Sequence, residues 1–175
     1  MQQAQAQGLP PATTGDITPE PVREGIDLIV NGERFRHTGD PLMPLLWYLR
    51  DVLRLTGTKL GDAHGADGYD LVLVNGKAAS AIKRPMAKLA GARVTTVEGL
   101  AHADGSLHPL QQAFIDEDAI GCGYCTPGWL IAGIDLLTRK PKPSDEDIDK
   151  LPNRCRCGVQ TRVRRAIKRA AGAHA

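Results

Sequence analysis

The sequence predicts an α+β fold built as two small domains, and three observations predict it. Two hairpin signals, each centred on an Asn-Gly pair (Asn31-Gly32 and Asn75-Gly76), fall between Ile26 and Ile82. Strand signals stop at Leu100, and apolar residues beyond it recur at helical spacing. All four cysteines lie in that second half, as a CxxC pair (Cys122, Cys125) and a CxC pair (Cys155, Cys157) flanking a helix-patterned segment.

Taken in order, residues 1–23 are rich in Gln, Ala, Pro and Thr without apolar periodicity, which predicts an extension rather than a packed element. Residues 24–99 are expected to form the sheet domain. Ile26, Leu28 and Val30 alternate into a first strand, and Glu33 to Arg36 return after the Asn-Gly turn. Leu45, Leu46, Leu49, Val52 and Leu53 fall at helical spacing, predicting an amphipathic helix from Pro44 to about Leu55. Gly57 to Tyr69 is dense in Gly and Asp and is expected as a loop. Leu71 to Val74 and Lys77 to Ile82 make the second hairpin, and Arg93 to Val97 a closing strand. The pattern suggests a small mixed sheet clasping one helix.

Residues 100–175 are expected to be helical. Pro109 opens a helix to about Glu117, and Thr126-Pro127 opens another whose apolar face holds Trp129, Leu130, Ile131, Ile134, Leu136 and Leu137. Ser144 with Asp147 is a capping start for a short helix to about Lys150, and a last helix runs from Gln160 to about Ala171. Trp47 and Trp129 sit on apolar faces and are expected in the core, and His102 and His108 as ordinary loop residues.

Composition excludes several function classes. Lys+Arg 22 against Asp+Glu 20 leaves a net charge of +2, too little for bulk attraction to nucleic acid or an acidic membrane. Aromatic residues make up 4%, which argues against a base-stacking surface. Arg162, Arg164, Arg165, Lys168 and Arg169 crowd the last helix without interleaved aromatics, so a solvated or subunit-facing surface is expected there. No apolar run approaches the ~20 residues of a membrane span, and no export signal is visible. No Ser/His/Asp set, phosphate loop or paired carboxylate suggests chemistry by this chain alone.

The cysteine spacing argues for a metal. A CxxC turn brings two thiolates together, a CxC supplies two more, and the set suits either Zn²⁺ or a [2Fe–2S] cluster. Two helices begin just after Cys125 and Cys157, so their positive ends favour an anionic centre of either kind. Glycines at 121, 123, 128 and 158 free backbone N–H groups to approach inorganic sulfide.

Four stretches carry a resemblance: Glu98-Gly99-Leu100, His108-Pro109-Leu110-Gln111-Gln112-Ala113-Phe114, Cys122-Gly123-Tyr124-Cys125-Thr126-Pro127-Gly128 and Asn153-Arg154-Cys155-Arg156-Cys157-Gly158. Together they resemble the small iron–sulfur subunit of molybdenum hydroxylases, the xanthine oxidase and aldehyde oxidoreductase family, from about Ile26 to Arg169. The resemblance implies a β-grasp, ferredoxin-like domain followed by a four-helix bundle, and it favours iron–sulfur over zinc. It implies that Cys122, Cys125, Cys155 and Cys157 ligate one [2Fe–2S] cluster, and that Cys157 with Gln111 or Gln112 lies near the molybdopterin, as the cytosine dinucleotide, of a large catalytic partner. The implied role is electron transfer from a partner that hydroxylates an aldehyde or N-heterocycle. The competing class is a Zn- or cluster-stabilised assembly adaptor. The implied compartment is the cytoplasm, or the periplasm by co-export with the partner.

The resemblance also exposes a departure. Leu49 to Leu53, Thr56 to Gly61 and Val74 to Lys77 match the family's frame around a second cluster, but its four cysteines fall at Asp62, Asp67, Asp70 and Ile82. Either the aspartates simply make a soluble loop, or Asp62, Asp67 and Asp70, with His64, hold a hard cation such as Ca²⁺ or Mg²⁺. In the family, electrons continue through that cluster to FAD or a cytochrome. The run from Cys157 to Ile167 is similar to the isoquinoline oxidoreductase branch, which points to a c-type haem acceptor before an FAD subunit, although Val159 and Gln160 stand where Thr-Tyr is usual.

Overall fold

A computed structural model describes residues 25–172; the extension expected over 1–23 lies outside the described residues. Strands β1 (Ile26–Val30) and β2 (Glu33–His37) pair antiparallel, Ile26 opposite His37 through Val30 opposite Glu33. Their turn places Asn31 at φ 50 and Gly32 at φ 89, the two left-handed positions a tight hairpin needs. Strands β3 (Leu71–Val74) and β4 (Lys77–Ser80) repeat the device with Asn75 and Gly76. The closing strand β5 (Arg93–Thr95) runs parallel to β1 and antiparallel to β3, giving the order β2-β1-β5-β3-β4.

The clasped helix departs from expectation. Only α1 (Leu45–Trp47) is regular, and it widens into a π-helical turn over Tyr48–Val52 that closes with Leu53 N–H on the Tyr48 carbonyl at 3.0 Å. Arg54 at φ 60 then ends it short of Leu55. The extra residue per turn rotates Val52, expected on the apolar face, out to 53% exposure, while Leu53 and Leu55 stay packed on the core. β4 and β5 likewise stop two residues early, at Ser80 and Thr95, because Ala81 and Val97 turn into bends and a 3₁₀ turn (Val97–Gly99).

Beyond residue 100 come α2 (Pro109–Asp116), α3 (Thr126–Arg139), α4 (Asp145–Asp149) and α5 (Gln160–Gly172). His108 is more than a loop residue: its Nδ1 accepts the Leu110 N–H at 3.1 Å while Gln111 Oε1 accepts its own N–H at 3.0 Å, a reciprocal cap on α2. Ser144 and Asp147 make the expected box on α4. The basic stripe of α5 is neutralised within the chain: Arg162 pairs with Asp118, Arg164 with Asp149, Arg165 with Glu117, Lys168 with Asp145, and Arg169 with Asp116 and Glu117. Such exposed pairs contribute ~0–1 kcal/mol each. The buried Val163, Ala166, Ile167 and Ala170 on its other face therefore dominate its docking.

The two halves share β3. Val72 packs with Leu28, Val30, Leu45, Leu46, Leu49, Met86 and Val94 on one face of the sheet. Leu71 and Leu73 face the other way, into the cluster of Leu110, Phe114, Trp129, Leu130, Ile131 and Ile167. A strand covered on both faces reads as an unbroken Leu-Val-Leu-Val rather than an alternating run. The contact tightens where α3 begins. A Cβ on Gly128 would stand 2.0 Å from the Gly68 carbonyl oxygen, so only glycine lets the helix lie against that loop. We expect Gly128→Ala to destabilise the chain by about 1–3 kcal/mol through overpacking against rigid backbone; a denaturant midpoint equal to wild type contradicts this close approach.

Candidate metal centre

The CxxC turn runs into α3, with Cys125 as its N-cap residue and the Cys125 carbonyl accepting the Trp129 N–H at 3.1 Å. The CxC lies in the connection between α4 and α5. Gly121 lets the two segments meet: a Cβ there would fall 2.7 Å from Cys157 Cβ. The resulting thiol pairs cross the motifs. Cys122 shares a hydrogen bond with Cys157, and Cys125 shares one with Cys155. The first pair is exposed; in the second, Cys125 is buried and Cys155 half-buried.

Backbone amides surround the sulfurs. The Tyr124 N–H, followed by Cys157, holds the Cys122 thiol below its ordinary value. Burial pushes the Cys125 thiol up to about 12, helped by its bond to Cys155. Burial also pushes Cys155 up, but the Val159 N–H, the Cys125 thiol and the Cys157 and Gly158 N–H groups outweigh it and hold Cys155 low. Converging amide donors and two helix N-termini suit a centre with net negative charge.

The wall behind the buried pair is the 60–70 loop. Asn153 Nδ2 donates to the Gly68 carbonyl at 2.7 Å, Arg154 N–H to the Asp67 carbonyl at 3.1 Å, and the Tyr124 hydroxyl to the Leu60 carbonyl at 2.5 Å. Tyr69 meets Tyr124 edge-on, ring centres 5.7 Å apart. Burial raises the Tyr69 hydroxyl pKa, and the charges of Asp67 and of Cys125, Cys155 and Cys122 raise it further. Gln160 Nε2 holds the Cys155 carbonyl at 2.9 Å. None of Asn153, Tyr69, Tyr124 or Gln160 was identified as a support from spacing, although Tyr124 lies between the first two cysteines and Asn153 and Gln160 lie within three residues of the last two.

The aspartates of that loop serve the loop. Asp62 accepts the His64 and Ala66 N–H groups at 2.8 and 2.6 Å, bonds that hold its carboxyl below the usual range. Asp67 accepts the Tyr69 N–H at 3.1 Å. Asp70, 1% exposed, accepts the Ser80 hydroxyl at 2.6 Å and the Ile82 N–H at 2.9 Å. The last bond joins two positions of the family's cysteine frame. Gln111 is committed to the α2 cap and Gln112 Nε2 to Asp116 Oδ1 at 2.8 Å, so both bond within or beside their own helix.

Among the described residues, no three or more His, Cys, Asp or Glu side chains gather as a site for one metal ion. The three aspartates are thus not brought together. A tetrahedral zinc site needs four sulfurs at one ion, whereas a [2Fe–2S] core takes two at each of two irons. Two crossed thiol pairs in an amide cradle fit the second.

Comparison with known proteins agrees. The [2Fe–2S] binding domain family profile matches residues 96–168. The chain is 44% identical over 148 residues to a subunit of nicotinate dehydrogenase from Pseudomonas putida, covering 83% of this chain and 94% of that one. It is also 44% identical over 151 residues to the alpha subunit of isoquinoline 1-oxidoreductase from Brevundimonas diminuta, covering 83% and 97%. The crystal structure of the aldehyde oxidoreductase from Desulfovibrio desulfuricans superposes with a TM-score of 0.80 at 38% identity, over 86% of this chain and 17% of that one.

Cys155→Ser is expected to abolish iron and acid-labile sulfide retention, read by metal analysis and visible absorption, because it removes one sulfur of the buried pair. Asp70→Ala is expected to cost about 1–3 kcal/mol by leaving the Ile82 N–H and Ser80 hydroxyl unpaired, seen as a lowered denaturation midpoint with calcium, magnesium and manganese at background in wild type and variant alike.

Proposed function

The chain belongs to the small iron–sulfur subunits of molybdenum hydroxylases, and on that premise we propose that it is the electron-transfer subunit of a complex whose large partner carries molybdopterin. The partner hydroxylates an aldehyde or an N-heterocycle with oxygen from water, and the two electrons released leave through this chain one at a time. The observation that supports this best is the close seating of the CxxC turn on the CxC segment, where a Cβ on Gly121 would fall 2.7 Å from Cys157 Cβ. A [2Fe–2S] cluster supplies one-electron redox capacity when bound.

Under this proposal Cys122, Cys125, Cys155 and Cys157 hold the cluster. The Tyr124, Cys157, Gly158 and Val159 amides offset its negative charge. The exposed Cys122 and Cys157 mark the edge offered to the partner, with Gln112, exposed on α2, or Gln111 as the further residue toward its pterin. Asp62, Asp67 and Asp70 are assigned to holding the loop in place of a second cluster and not to a hard cation. The chain then has one cluster, and a haem protein is proposed as acceptor ahead of an FAD subunit. Among the described residues no helix is long and apolar enough to cross a membrane; the complex is proposed to work in the cytoplasm or, co-exported with the partner, in the periplasm.

The zinc-held adaptor has no specific observation in its favour. Dithionite reduction of the purified complex is expected to give a single [2Fe–2S] EPR signal, with molybdenum on the copurifying large subunit. A second iron–sulfur signal, or an EPR-silent chain containing zinc, overturns the proposal. A copurifying flavin reduced by substrate at the catalytic rate overturns the choice of acceptor.

A further inference from the structure

A cavity of about 300 Å³ lies behind the CxC segment, lined among others by Trp129, Asn153, Arg154, Gln160 and Arg164. Three of its lining side chains bury a polar atom that has no partner among the described residues: Trp129 Nε1, Asn153 Oδ1 and Arg164 Nε. Trp129 and Asn153 are 5% and 3% exposed. The Asn153 amide cannot be turned to relieve this, because its Nδ2 already donates to the Gly68 carbonyl at 2.7 Å. The Arg164 charge is met by Asp149 at 2.5 Å, so only its Nε–H remains to be satisfied.

We propose that this cavity is a structural hydration site, in which ordered water bridges Trp129 Nε1–H and Arg164 Nε–H to Asn153 Oδ1. The chemistry selects the ligand. Two donors and one acceptor match a water molecule, which accepts two hydrogen bonds and donates one. A bare anion would meet the lone pairs of Asn153 Oδ1 and the Asp149 carboxylate that lines the same cavity. At ~30 Å³ per molecule the space holds several waters.

The bridge joins the two segments that carry the buried thiols. Trp129 is one turn along α3 from Cys125, whose carbonyl accepts its N–H. Asn153 stands two residues before Cys155, and Gln160, on the same cavity wall, holds the Cys155 carbonyl. Water between Trp129 and Asn153 thus ties together the two segments that carry Cys125 and Cys155. Trp129 and Asn153 are positioning residues in this account, and the effect on the cluster rests on the iron–sulfur reading; the water itself does not.

The test is a high-resolution crystal structure of the purified complex together with Trp129→Phe, which keeps the apolar ring and deletes the donor. Ordered water within hydrogen-bond distance of Trp129 Nε1 and Asn153 Oδ1 is expected. Trp129→Phe is expected to lose iron to a chelator several-fold faster than wild type under anaerobic conditions, while starting from equal iron content; Trp47→Phe, away from the cavity, keeps the wild-type rate. A dry cavity, a group of the partner on these atoms, or an unchanged rate of iron loss in Trp129→Phe overturns the proposal. Should that variant not fold, the crystal structure alone decides, and absence of any cluster in wild type would sink the iron–sulfur reading without touching the hydration site.

Discussion

The structure depends on the approach of one loop to one helix start. Gly68 and Gly128 bring backbone against backbone at a separation that any Cβ on Gly128 would close, and every support of the buried thiols is arranged around that contact. Asn153 bonds the same Gly68 carbonyl, Arg154 bonds its neighbour Asp67, and Tyr69 and Tyr124 pack edge-on beside it. The sheet half therefore supplies one wall of a centre whose sulfurs all come from the helical half. Sharing β3 makes this wall rigid, since Val72 anchors it to one core and Leu71 and Leu73 to the other.

That arrangement makes the centre asymmetric. Cys122 and Cys157 meet solvent, while Cys125 is buried and Cys155 half-buried. Burial alone would oppose charge on the inner sulfurs, and for Cys125 it does. At Cys155 the amides of residues 157 to 159, with the Cys125 thiol, reverse the balance. Backbone amides reach both edges, at Cys122 from Tyr124 and at Cys155 from residues 157 to 159.

The loop that lacks cysteines shows how a staple can be replaced. Asp70 ties its loop to Ile82 by a hydrogen bond between two positions that the cysteine frame would have joined through metal. Asp62 and Asp67 close short turns onto their own backbone. Carboxylates accept well from amides and hydroxyls, so the loop keeps its shape, at modest strength per bond. Each carboxylate is turned to a different partner.

Much of the fold was legible in local chemistry. Asn-Gly turns, Pro at helix starts and the Ser144 box each act within a few residues of themselves, so the sequence alone determined both hairpins and the four later helices. Only the tertiary structure decided how the thiols pair across motifs, which pair is buried, and that His108 caps a helix while Val52 turns outward. It also decided what the aspartates do, and that Asn153, Gln160 and Tyr69 serve the centre. The reason is physical: a thiol's partner, burial and amide donors come from segments dozens of residues away, and spacing along one chain carries no record of which loop will be pressed against which helix.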